Sequence, residues 1–178
     1  MRKYHPILVV LHWLLVLMII GGLIMGGNVL AKTPNTDPSK IMALRAHVGM
    51  GMLILLLMIL RFGVRMITQK PPHADIGNAL LNRAGVWAHW GLYLVVFGVC
   101  LSGLAVANMA GLAPIVFGGS GDPLPADFSH IPPRAAHGLL TSLLGLIILA
   151  HVLAALYHQF IRQDGLFGRM WFGARGGL

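Results

Sequence analysis

The sequence has no glutamate and only five aspartates, against 13 lysines and arginines in 178 residues, and it has a single cysteine, Cys100. One cysteine excludes a disulfide framework and a C-x-x-C-H haem attachment. Charged residues make up 10% of the chain, whereas a soluble domain is about 25% charged. That scarcity, beside an apolar share of 57%, excludes a disordered chain, a coiled coil and a DNA-binding domain. No Asp falls inside the long apolar stretches, so few ligands are available to complete a tetrahedral zinc or copper site. A net charge of +8 would ordinarily raise nucleic acid as a partner. Here the basic residues sit in short runs between apolar stretches, which points to lipid instead.

Four stretches are long enough to cross a bilayer, which takes about 20 residues of helix. They run over about residues 7–30, 41–62, 85–109 and 135–160. Helix is the open-chain structure that satisfies its own backbone in lipid. The expected fold is therefore all-α: an integral-membrane, four-helix, up-down bundle forming one domain over residues 1–178. Arg2 and Lys3 before an apolar run imitate a secretory signal. The run is longer than a typical signal core and contains His12, so it reads as a retained span. Nine basic residues fall on one side: Arg2, Lys3, Arg61, Arg65, Lys70, Arg83, Arg162, Arg169 and Arg175. Four fall on the other: Lys32, Lys40, Arg45 and Arg134. By the positive-inside rule both termini are cytoplasmic. The connection from Ala110 to Pro133, rich in Gly and Pro, is expected to cap the outer surface.

Nine histidines are many for so apolar a chain. Polar groups inside a bilayer are costly and usually functional. His12 and His89 lie near the cytoplasmic ends of the first and third spans, and His47 near the outer end of the second. His137 and His151 share the fourth. They are 14 residues apart, which is roughly 21 Å along a helix and about 40° in azimuth, so they occupy one face. His158 continues that stripe to the cytoplasmic exit. His47 matches His137 in depth, and His12 roughly matches His151. Two pairs at two depths on different helices are what two bis-histidine haems require, and bundle cores are a usual place for such sites. A hydrogen-bonding role in the core is the plainer alternative for any one of these histidines. His89 could replace His12 or His151 as an inner ligand. His5, His73 and His130 read as solvated. Glycines such as Gly26, Gly49, Gly91, Gly103 and Gly145 serve close helix packing or make room for a flat macrocycle.

The pattern of His12-Trp13, Ala46-His47-Val48-Gly49 with Arg61, Ala88-His89 with Tyr93, and His137, His151 and His158 resembles the bacterial cytochrome b561 family. The resemblance covers essentially the whole chain and is greatest to members that oxidise superoxide. It implies two b haems, with His12 and His151 as axial iron ligands of the inner one and His47 and His137 of the outer one. It also implies a quinone site near His89 and His158, with Trp87, Trp90 and Tyr157 close in sequence. Arg45 and Arg134, beside the outer ligands, would draw in an anion. The implied activity is that of a superoxide:ubiquinone oxidoreductase of the bacterial inner membrane. Superoxide would be oxidised to dioxygen on the periplasmic side, and electrons would pass to ubiquinone. The alternatives are a quinone-linked relay subunit for a partner dehydrogenase or hydrogenase, and a His-lined metal or proton transporter.

Overall fold

The computed structural model describes residues 3–72 and 76–172. Arg2, His73 and Arg175 of the sequence reading lie outside the described residues. Among these residues the structure is helical, with no strand. Four helices are long and apolar enough to span a membrane: α1 (Pro6–Leu30), α2 (Ser39–Ile67), α3 (Ala79–Met109) and α5 (Pro132–Arg162), with the short helix α4 (Leu112–Val116) between the last two. The chain is therefore a multi-pass membrane protein. Side chains such as Leu17, Ile67, Leu94 and Leu139 are largely exposed, the condition of a helix whose outer face is solvated by lipid.

Local chemistry sets the helix ends. Pro6 stands in the first turn of α1, where its missing N–H costs nothing, and the His5 ring accepts the Ile7 N–H at 3.4 Å. His5 is exposed, as expected, and caps the helix as well. The Asn78 carboxamide accepts the N–H groups of Leu80 and Leu81 at 3.0 and 3.2 Å and starts α3 six residues before the apolar run does. At the start of α2, Asp37 accepts the Ser39 N–H at 2.8 Å. Lys40, assigned from sequence to a loop, is in the first turn of α2 and buried. Its ammonium donates to Leu30 O, and to Thr33 O at 2.5 Å. A charged group is tolerated there because it satisfies carbonyls left open at the end of α1.

Close backbone packing joins α1 to α2, α2 to α3, and α3 to α5. Among the described residues no comparably close approach joins α5 to α1 or α2, and across that gap the histidine side chains meet. The main core is an apolar layer at mid-height, made of Leu15, Ile54, Met58, Tyr93, Val95, Val96, Cys100 and Leu144. Leu144, 2% exposed, is seven residues from both His137 and His151. That offset puts it roughly 10 Å along the axis from each. A second cluster, Leu44, Leu112 and Val116, seats α4 over the opposite end of the bundle from the termini. The 110–133 connection is thus partly helical and folded down as a cap.

The two termini meet at the other end. Tyr4 N–H donates to Arg169 O at 3.2 Å, and Trp13 Nε1 donates to Met170 O at 2.8 Å. Arg169 Nη1 donates to Pro72 O at 2.5 Å, tying in the α2–α3 connection. The bundle therefore has a termini end and a loop end.

Candidate functional site: two levels of histidine

At the loop end, His47 on α2 faces His137 on α5, with ring centroids 6.4 Å apart and ring planes at 89°. The last turns of α1, Met25–Leu30, are π-helical, a widening found often at functional sites. This segment brings Gly26 against the His47 ring, where an added Cβ would lie 3.5 Å from His47 Cε1. On α3 an added Cβ at Gly103 would lie 3.0 Å from His137 Cε1, close enough to press on the imidazole. His137 Nδ1 lies 3.0 Å from Val99 O and 3.2 Å from Ser102 Oγ. A proton on Nδ1 satisfies the carbonyl and leaves Nε2 as the free lone pair, the arrangement that orients metal-binding histidines. His47 Nδ1 is buried without a hydrogen-bond partner.

At the termini end, His12 on α1 faces His151 on α5 with the same centroid separation, 6.4 Å, and planes at 73°. His89 on α3 is also there, 5.5 Å from His151, with Nδ1 held 2.7 Å from Gly85 O. Arg61 on α2 donates to Leu8 O at 2.5 Å, one turn from His12.

Two imidazoles bound to opposite sides of one metal, at about 2.0 Å per metal–nitrogen bond, put their ring centres roughly 6 Å apart. Each ring plane contains the nitrogen–metal axis and can turn about it, so crossed planes are compatible with that arrangement. Both 6.4 Å pairs fit a bis-histidine haem, and 5.5 Å for His89–His151 is tighter than that geometry. Among the described residues no three His, Cys, Asp or Glu side chains gather into a metal cluster. At Gly49, Gly51, Gly91 and Gly145 an added Cβ would meet nothing within 4 Å. Close helix packing therefore does not account for those glycines.

The remaining site residues named from sequence fall as follows. Arg45 donates through Nε to Val116 O, which fastens α2 to the α4 cap. Arg134 is exposed at the start of α5, its guanidinium against Gly138. His130 is exposed and 3.5 Å from Asp127. His89 is one of the two imidazoles that lie against His151, the other being His12. His158 pairs with Asp164, Nδ1 to Oδ2 at 2.6 Å. Sequence reasoning missed Asp164. The signal was its Asp-Gly step after α5, which marks a turn able to fold back on the helix. Also missed was the aromatic cluster of Phe62, Trp90 and Tyr93, with the Arg65 guanidinium 5.8 and 5.7 Å from the Trp90 and Tyr93 rings.

The chain matches the family profile described as prokaryotic cytochrome b561 over residues 3–173. It is similar to the Yersinia pestis protein named Probable superoxide oxidase CybB, at 25% identity over 178 residues, covering 98% of this chain and 99% of that protein.

Proposed function

The chain belongs to the prokaryotic cytochrome b561 family, a family of haem b proteins of the membrane, and from that premise we propose that it oxidises superoxide and reduces ubiquinone across the bacterial inner membrane. The observation that carries the reading is the repeated 6.4 Å histidine pair at two levels of one bundle. In this reading His47 and His137 hold one b haem at the loop end, and His12 and His151 hold a second at the termini end. Bound there, the two haems supply one-electron chemistry and a route between the two membrane faces.

The protein's own groups do the rest. Val99 O takes the His137 Nδ1 proton, so Nε2 is the nitrogen that would be left to bind iron. The termini end faces the cytoplasm, as the basic residues on that side favour. Superoxide arrives at the loop end, where Arg45 and Arg134 present positive charge to an anion. Ubiquinone binds at the termini end, near His158 and near His89, whose ring lies against His151. Two superoxide anions give two dioxygen molecules, and ubiquinone takes up two electrons and two protons. The name borne by the Yersinia pestis relative supports superoxide as the donor.

Stopped-flow mixing of the oxidised, purified protein with superoxide tests this. Reduction within the mixing of a few turnovers, followed by reoxidation only when ubiquinone is present, is expected. Haem that superoxide reduces slowly but quinol reduces quickly would instead make the chain a relay subunit for a partner dehydrogenase or hydrogenase. A colourless protein would leave the transporter reading.

A further inference from the structure

The last turns of α5, Tyr157–Arg162, are π-helical, and the helix stops at Gln163, which takes the left-handed conformation with φ 52°. Gly165 follows with φ 71°. These two bends fold the chain back so that Asp164 lies against His158, six residues earlier, with 2.6 Å between Oδ2 and Nδ1. The carboxylate is held at both oxygens. Oδ1 accepts the Leu166 N–H at 3.1 Å, and Oδ2 also lies 3.5 Å from Arg162 Nε. The His158 side chain is 14% exposed and that of Asp164 29%, so the imidazole faces the protein and the carboxylate reaches the water.

We propose that His158 and Asp164 form a proton-donating dyad for quinone reduction, in which Asp164 is a positioning residue that binds Nδ1–H and turns Nε2 toward the quinone oxygen. The inference rests on the reading that quinone binds at the termini end. A hydrogen bond of this length from a ring nitrogen to a carboxylate sets which nitrogen is left to act. Partial burial works to raise the Asp164 carboxyl, but the His158 and Leu166 hydrogen bonds and the Arg162 charge outweigh it and hold it below the usual carboxylate range. Asp164 is therefore ionised at neutral pH and acts as an acceptor toward Nδ1–H.

The step balances as follows. Two superoxide anions lose one electron each and become dioxygen, and the quinone gains both electrons. The Nε2–H bond of the His158 imidazolium breaks as an O–H bond forms at one quinone oxygen. The imidazole keeps Nδ1–H on Asp164 and regains a proton on Nε2 from water at the membrane surface. The second quinone oxygen takes its proton from the same water.

The test uses the purified full-length protein with bound haem, superoxide as donor and a short-chain ubiquinone as acceptor. Asp164→Asn should lower kcat for quinol formation roughly 10-fold to 100-fold, leave KM for quinone within about twofold, and raise the solvent deuterium isotope effect, because proton transfer becomes slower than electron delivery. Asp164→Glu should recover part of the rate. His158→Ala should lose more than Asp164→Asn. A wild-type rate and isotope effect in Asp164→Asn, with His158→Ala impaired, would overturn the dyad and leave the quinone site in place. Normal turnover in His158→Ala would overturn the quinone site at this end and the dyad with it. If Asp164→Asn loses haem, the isotope effect in Asp164→Glu decides: a raised value supports the dyad, and a wild-type value overturns it.

Discussion

His47 and His137 hold their ring centroids 6.4 Å apart across the gap between α2 and α5, and His12 and His151 repeat that spacing across the gap between α1 and α5. The repeat matters because the two pairs share no helix other than α5. Their common spacing therefore comes from two separate packing environments that each leave room for something between the rings. At the loop end Gly103 leaves the His137 ring its clearance, and at the termini end His89 crowds in from α3. The mid-height layer around Leu144 keeps the two levels apart.

The ligand assignment predicts a selective pattern of haem loss. His47→Ala or His137→Ala should remove one haem and spare the other, and His12→Ala or His151→Ala should do the same for the second. His89→Ala should keep both, because its 5.5 Å spacing from His151 is tighter than two ligands on one metal require. Pyridine haemochrome counts on the purified variants check this. Two haems in His12→Ala beside one in His89→Ala would move the ligand from α1 to α3.

Gly103→Ala places a methyl carbon 3.0 Å from His137 Cε1. Overpacking of this kind costs about 1–3 kcal/mol. The expected result is weaker binding at the loop-end haem alone, seen as partial occupancy or a shifted midpoint in a redox titration with the other haem's midpoint unchanged. Full occupancy with both midpoints unchanged would mean that the His137 ring does not sit where haem needs it.

Four spans and two levels of histidine are legible in the sequence, because run length and position within a run translate directly into depth. Lateral placement is not legible, since lipid-facing and core-facing residues are both apolar and leave no periodic signal. That is why the sequence left His89 open as an alternative to His12 or His151, and only the packing of α3 on α5 shows its ring against His151. The helix ends were read short for a related reason. Asn78 caps α3, and Arg61 and Arg65 ride inside α2, Arg61 donating to Leu8 O and the Arg65 guanidinium lying by the Trp90 and Tyr93 rings, so charge does not mark the border there. Lys40 went unread as a cap because a buried ammonium is legible only once the carbonyls of Leu30 and Thr33 are seen beside it.

Charge at the loop end predicts a salt effect. Arg45→Gln combined with Arg134→Gln should slow haem reduction by superoxide several-fold at low ionic strength and flatten its salt dependence. Near 1 M salt, where the Debye length is ~3 Å, variant and wild type should converge. Arg45 also holds the α4 cap through Val116 O, so Arg134→Gln alone gives the cleaner electrostatic reading. Stopped-flow rates across a salt series measure it, with haem content as the control. An unchanged salt slope would remove steering from the account.

The measurement that tests the central claim most directly is the number and kind of haems bound by the purified, unmodified chain. Two non-covalent haems per chain are predicted from the two histidine pairs. Both should be extracted by acid acetone and show the low-spin b-type spectrum that two nitrogen ligands on each iron produce. One haem per chain, haem that resists extraction, or a high-spin spectrum at either site would contradict it.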